Sequence, residues 1–548
     1  MLTPEQVAAL RDRAVEITEP VLEFLLEDVT RRICEAGGIT STASYQIWKA
    51  QQLGMSQREI KKELKRRLRV SNRQLRQLLT QSAQVGYDYD IKRFPYVQAV
   101  PFEQNAQLQQ ILQAAVDMVG DEFENLTQTL GMVDPHGNAL PLQDAYRSCC
   151  DYAFKLVTTG ATDYNTAIRR ATKNLAGKGL RVIDYESGQS RSIEAAVRGC
   201  VMGGLGLMQE QISQQNHDMF GCNGWEISAH AASAPDHEPI QGKQYSDAEY
   251  AALNDSLVRR IGTLNCGHSA FPIILGVHEP QYTTDELEKL RKDNADGITI
   301  DGKHYTKYEA TQMQRKLERA IRLQKNRILV DETAGDEERL QLDQIKLQMY
   351  KQEYVRFSDA AGLRTQHARA EVAGFDWKKG KEARVEYKQV ENLANTMYDV
   401  GSTENNVKAW LRDQPLRLKI RSGKEYPLVV NIKKQNTHLF GTHEYNERVK
   451  VLEKGGKHGP SCLSISMTEI EALVKKYAGT GILERGKKTG KWTEKEVITM
   501  HPDVVGIAVN NDTGAEAETT TFKIHYSKTR GVHIVPDYPS KKGAKART

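Results

Sequence analysis

The chain has 548 residues, 39% of them hydrophobic, and its 76 Lys and Arg nearly balance 71 Asp and Glu, for a net charge of +5. That length exceeds what a single core organises and points to about three or four units. No apolar run reaches the roughly 18 residues of a spanning helix, the first residues lack the pattern of a signal peptide, and seven scattered cysteines suit a reducing compartment rather than a disulfide framework.

Residues 1–220 read as helices. VLEFLLEDVTRRICEAGG (21–38) sets Leu25, Val29 and Ile33 at helical spacing and stops at a Gly pair. SQREIKKELKRRLRVSNRQLRQLL (56–79) packs seven Lys and Arg into its first fourteen residues, and the chain ends KKGAKART. Each is either a solvated face or tail, or a contact with nucleic-acid backbone. Helical logic returns at 105–131 and 143–158, with a DPHGN loop (134–138) between them. A short strand pair follows around Leu180–Tyr185, turning at ESGQ, and then another helix.

Residues 222–280 read as loop-rich. His230 and His237 stand seven apart, and Cys266 and His268 follow. These are zinc's preferred N and S ligand types, although the spacing matches no standard finger. The plain alternative is a set of polar residues hydrogen-bonded inside an irregular loop core. From 281 onward two capping boxes are expected, Thr283 with Glu286 and Thr306 with Glu309, flanking an Asp301-Gly302 hairpin. Met313, Leu317, Ile321 and Ile328 then form one stripe of a long helix. After a break at AGDE a second long helix continues, giving a helical hairpin or an oligomer contact.

The motifs HAASAPDHEPIQGKQYS, GTLNCGHSAFPIILGV, IDGKHYTKYEATQMQRKLERAIRLQKNR and GLRTQHARAEVAGF, in that order, resemble the minor capsid protein 2 family of tailed phages over roughly residues 1–380. Members of that family often carry Arg where Ala234 stands and a basic residue where Gly267 stands. The resemblance implies a low-copy internal head component near the portal, contacting portal, other head proteins or packaged DNA.

Residues 381–420 read as a linker with some helix, bounded at WLRDQP. The module at 421–548 reads as helix followed by sheet. MTEIEALVKKYAG places Ile470, Leu473, Val474 and Tyr477 on one helical face. In TTTFKIHYSK, Phe522, Ile524 and Tyr526 alternate with Lys523, His525 and Ser527. Beyond the Thr-Arg-Gly turn, Val532 and Ile534 alternate with His533, so a hairpin can gather His525, Ser527 and His533.

KQNTHLFGT, GPSCLS, AGTG, KEV and FKIHYSKTRGVHIVP together resemble the toxin type 50 domain of bacterial polymorphic toxins. That resemblance implies a ribonuclease of the Barnase–EndoU–colicin–RelE group. Metal-free cleavage needs one group to take the ribose 2′-OH proton, another to protonate the leaving 5′-oxygen, and donors for the phosphate charge. Histidine suits the proton transfers, its pKa lying at about 6.5. The candidates are His438, His525, His533, Lys523, Ser527 and Thr442, with Lys434 and Lys528 for RNA phosphate; His443 and His458 flank them.

The expected fold class is therefore multidomain: a mostly α-helical capsid region (1–280) and long helices with a small β-hairpin (281–380), a linker (381–420), and an α+β toxin domain with an antiparallel sheet (421–548). The expected function is a virion head protein, assembled in the bacterial cytoplasm, carrying an RNA-cleaving toxin that acts there. Portal and head proteins, DNA, RNA and an immunity protein are the expected partners, with no membrane and no cofactor other than zinc at His230, His237, Cys266 and His268. The competing readings are a head protein whose C-terminal module is inert and only binds DNA or portal, and a zinc-binding head protein.

Overall fold

The computed structural model describes residues 19–39, 41–95, 98–133, 139–159, 164–172, 180–184, 189–191, 193–262, 266–398, 401–486 and 488–538. The DPHGN loop, most of the ESGQ turn, the first eighteen residues and the KKGAKART tail lie outside these, as do most side chains of the basic stretch within the helix Thr42–Arg93. The chain forms two compact units, Met1–Ala383 and Arg384–Thr548.

The first unit is dominated by helices, and Leu25, Val29 and Ile33 are buried in its largest core as their spacing requires. The helices Glu19–Gly38, Ala106–Gln128, Leu142–Thr158 and Ile193–Phe220 surround that core. Beside them lies a four-stranded sheet in the order β2-β1-β3-β4, with β1 at Leu130–Val133, β2 at Ala139–Pro141, β3 at Leu180–Ile183 and β4 at Ser190–Arg191. Residues 222–280 are more ordered than their composition suggests. Strand β5 (Gly224–Ile227) pairs on one side with β6 (Gln244–Ser246) and on the other with β7 (Ala270–Ile273), all antiparallel. GWEI and AFPI are too short to show a period, which is why they read as loop.

Both expected capping boxes form, at Thr283–Glu286 and Thr306–Glu309. Between them β8 (Ile298–Ile300) and β9 (Lys303–Tyr305) make the Asp301-Gly302 hairpin. The long helix Lys307–Ala334 ends at Gly335, whose left-handed φ of 64° closes it. Glu337–Ala360 then returns antiparallel along it: Gln314 donates to Ser358 and Tyr354 donates to Glu318. Leu317, Ile321 and Ile328 face Leu347, Tyr354 and Phe357 in a shared core.

The second unit is α+β. The helix Thr403–Arg421 continues past Pro415, where the sequence suggested a boundary. Its Leu416 and Ile420 pack in the same core as Ile470, Val474, Phe522 and Ile534. Arg417, fully buried, donates to the Gly481 carbonyl at 2.8 Å and to the Tyr398 hydroxyl at 2.9 Å. The amphipathic helix Met467–Tyr477 forms as read, capped by Ser466 and Glu469. Two antiparallel sheets complete the unit. One has the order β10 (Cys462–Leu463), β13 (Gly506–Val509), β14 (Glu516–Thr519); the other runs β11 (Ile482–Arg485), β12 (Trp492–Ile498), β15 (Phe522–His525), β16 (His533–Pro536). Gly531, at φ 74°, makes the β15–β16 turn, and a Cβ there would run into the Val429 carbonyl.

Candidate functional site

Alternation along β15 and β16 buries Phe522, Ile524, Tyr526, Val532 and Ile534 and leaves His525 and His533 on the other face, half-buried. Register puts His525 directly opposite His533, their ring centroids 4.7 Å apart. On the other side of His525 stands Lys495 of β12. Lys495, His525 and His533 therefore form a row across three strands.

His438 joins them from outside the sheet. It follows the short helix Ile432–Asn436, which the buried Gln435 fastens to the edge of β16 by two hydrogen bonds with Ile534. The His438 ring lies parallel to that of His533 at 6.1 Å. Its Nδ1 donates to the Ser461 carbonyl at 2.9 Å, which leaves Nε2 with the lone pair.

The electrostatics of the three rings are of one kind. Burial first, and then the neighbouring imidazole of His533 and Lys495, push His525 down to about 3. Burial and then His438, Lys434 and Lys495 push His533 down to about 4. Burial, opposed by the Ser461 hydrogen bond, also lowers His438, with Arg448 and Lys434 adding to the effect. The rings are thus held neutral among cationic side chains, a setting that attracts an anion. A phosphate placed there would raise their basicity.

The other expected site residues have further partners of their own. Lys523 pairs with Asp537 at 3.3 Å and Glu484 at 3.9 Å and is also close enough to act on His525. Ser527 accepts the Thr529 and Arg530 amides and so shapes the turn. Thr442 caps the helix His443–Lys454: its oxygen accepts the Tyr445 amide at 3.2 Å, and its single proton faces the Asn436 carbonyl at 2.6 Å, with that of Leu439 at 2.9 Å. Lys528 pairs with Glu425 at 2.8 Å and lies over Tyr426. Lys434 is exposed and close enough to act on His438 and His533. His443 and His458 are exposed. Sequence reasoning missed Lys495 and Gln435. Lys495 could have been found by extending the alternation to KEV; Gln435 gave no signal, because its role is to pair with a backbone 99 residues away.

In the first unit, β5–β7 pairing brings the His230–His237 loop against Cys266 and His268. His237, Cys266 and His268 converge, with ligand atoms within 4.8 Å of one another, and the His230 ring lies 4.3 Å from that of His268.

Comparison with known families gives the class. Residues 2–358 match the family described as Phage minor capsid protein 2, and residues 430–536 match that described as Bacterial toxin 50. The chain belongs to the phage minor capsid protein 2 family: it is a phage head protein with a toxin module at its C-terminal end. No curated protein and no solved structure matches it.

Proposed function

We propose that the toxin module is a ribonuclease that works without a metal, carried as cargo by a virion protein. The observation that carries this reading is the cluster of His438, His533 and His525, neutral and ringed by Lys434, Lys495 and Arg448. One neutral imidazole takes the proton of a ribose 2′-OH, whose oxygen attacks the adjacent phosphorus. A second imidazole, protonated once the substrate phosphate has entered, gives its proton to the leaving 5′-oxygen. The P–O5′ bond breaks and a 2′,3′-cyclic phosphate remains. Lys495 and Lys434 stabilise the charge on the phosphate oxygens. DNA lacks the 2′-OH and is not cut by this route.

The body, on the same reading, sits in the head near the portal, where head proteins and packaged DNA are its neighbours. An immunity protein would protect the producing cell by covering the histidine face.

The test uses residues 384–548, since Leu416, Arg417 and Ile420 belong to this unit's core. Expression is expected to arrest growth, and the purified unit to cut RNA in a chelator, leaving 2′,3′-cyclic ends. His525→Ala is expected to lower the rate roughly 10²–10⁴-fold. A folded wild-type unit that leaves RNA intact would refute the proposal and favour an inert binding module.

A further inference from the structure

The His/Cys cluster of the first unit has an arrangement of protons that a hydrogen-bonded core does not explain. His237 Nε2 lies 3.0 Å from the Arg259 carbonyl, an acceptor, so Nε2 carries the proton and Nδ1 the lone pair. That Nδ1 lies 3.2 Å from Cys266 Sγ. His268 repeats the pattern. Its Nε2 lies 3.0 Å from Gln241 Oε1, and that atom is fixed as oxygen because it also accepts the His230 amide at 3.1 Å. His268 Nδ1 therefore also carries a lone pair, 3.5 Å from the same sulfur. The His268 backbone N–H points at Sγ as well, at 3.4 Å. Two nitrogen lone pairs and an amide donor thus converge on one sulfur. A thiol has a single proton and can satisfy only one of those nitrogens.

A metal ion resolves the conflict. Zinc with ligand distances of about 2.3 Å to sulfur and 2.0–2.1 Å to nitrogen in tetrahedral geometry separates S from N by about 3.6 Å, close to the 3.2 and 3.5 Å seen. Each histidine already donates its other ring N–H to a fixed oxygen, the outer-shell arrangement metal-bound histidines almost always have. All three residues are buried.

The cluster also forms one wall of a cavity of about 300 Å³. The remaining lining includes Arg315, Arg319, Arg322 and Arg369, with Glu318 as the one carboxylate among its described residues, and Arg259, which Asp236 holds at 2.7 Å. Glu318 accepts from Tyr354 at 3.2 Å. Three protein ligands leave a tetrahedral ion one open position, as in catalytic rather than structural zinc sites. Clustered guanidinium groups suit a phosphate. Gly267 keeps the wall tight: a Cβ there would come within 2.7 Å of His230 Nε2.

We propose that His237, Cys266 and His268 bind a zinc ion whose open position takes a phosphate-bearing ligand held by the arginines of this cavity. The test uses the full-length chain, purified without a histidine tag or chelator. Elemental analysis is expected to find about one zinc per chain, lost in Cys266→Ser and in His237→Ala. Gln241→Leu, which keeps all three ligands and removes the oxygen shared by the His268 ring and the His230 amide, is expected to weaken zinc about 10–100-fold. Because those variants could unfold, the wild-type chain is also loaded with cobalt, whose thiolate charge-transfer band reports Cys266 as a ligand. Inorganic phosphate and a 5′-phosphorylated oligodeoxynucleotide are then added; a shift of the cobalt d–d bands by either supports the ligand class, and Arg319→Ala with Arg322→Ala is expected to weaken it. Wild-type chain with neither zinc nor a cobalt–thiolate band overturns the metal site. Bound metal that responds to neither phosphate probe overturns the ligand.

Discussion

Gln435 holds Ile534 with both ends of its amide: Nε2 donates to the Ile534 carbonyl at 3.0 Å, and Oε1 accepts its N–H at 2.8 Å. Gln435 extends the edge of β16 as another strand would. It thereby sets the loop that carries His438 beside His533. Gln435→Ala is expected to leave two backbone groups unpaired, at about 2 kcal/mol. Hydrogen exchange at the Ile534 amide should accelerate roughly 30-fold, with cleavage falling alongside. Unchanged exchange would show that the edge is held by other contacts.

Lys495 provides a test of the cationic surroundings of the site that leaves all three imidazoles in place. It shares a row with His525 on a half-exposed face, so its removal leaves no buried charge stranded. Lys495→Gln is expected to lower RNA cleavage about 10–100-fold while thermal unfolding stays within a degree or two of wild type. Full activity in this variant would remove Lys495 from the site.

The depressed basicity of His525 and His533 makes a signed prediction about stability. Their folded-state values of about 3 and about 4 lie below the usual histidine value of about 6.5. As pH falls below about 6.5, the unfolded chain takes up protons that the folded unit refuses. Stability is therefore full above that pH, declines from there downward, and stops declining only below about 3. Thermal unfolding of 384–548 between pH 7.5 and 4 should show the decline, and His525→Asn should flatten it. A wild-type profile without any slope would contradict the burial of these rings.

Glu496 is a buried carboxylate between the helix Met467–Tyr477 and the sheet. It accepts the Gly479 and Gly481 amides at 2.8 and 2.5 Å and the Tyr526 hydroxyl. Burial raises its pKa against those hydrogen bonds and Arg417. Glu496→Gln would turn an NH₂ toward N–H donors, costing roughly 2–4 kcal/mol. Urea unfolding of 384–548 measures it, and a change under about 0.5 kcal/mol would mean that the site relaxes around the amide.

Ser527 separates a turn-forming role from a chemical one. Its hydroxyl accepts two amides of its own turn at 3.4 and 3.3 Å. Ser527→Ala is expected to cost about 1 kcal/mol and to leave the cleavage rate within about twofold of wild type at a temperature where both are folded. A larger loss of rate would return Ser527 to the phosphate.

Features that depend on neighbours along the chain are legible in the residues alone. The capping boxes at Thr283 and Thr306, the Asp301-Gly302 turn, the stripe of Leu317, Ile321 and Ile328, and the alternation that turns His525 and His533 away from Phe522 and Ile524 all follow from local spacing. Features that depend on pairing across distance emerge only in the folded chain. The short strands GWEI and AFPI acquire meaning only when paired, and that pairing assembles His237 with Cys266 and His268. Pro415, which looked like a stop, lies within a helix whose next turns enter the C-terminal core through Leu416 and Ile420. Ser527, Thr442 and Lys528 have the right chemistry for a phosphate, yet each is engaged by a turn, a cap or a carboxylate. Lys495, whose face the alternation of KEV indicates, gains its partner because backbone hydrogen bonding between β12 and β15 sets it opposite His525. Spacing fixes which face a side chain takes; only the register of distant strands fixes what it meets there.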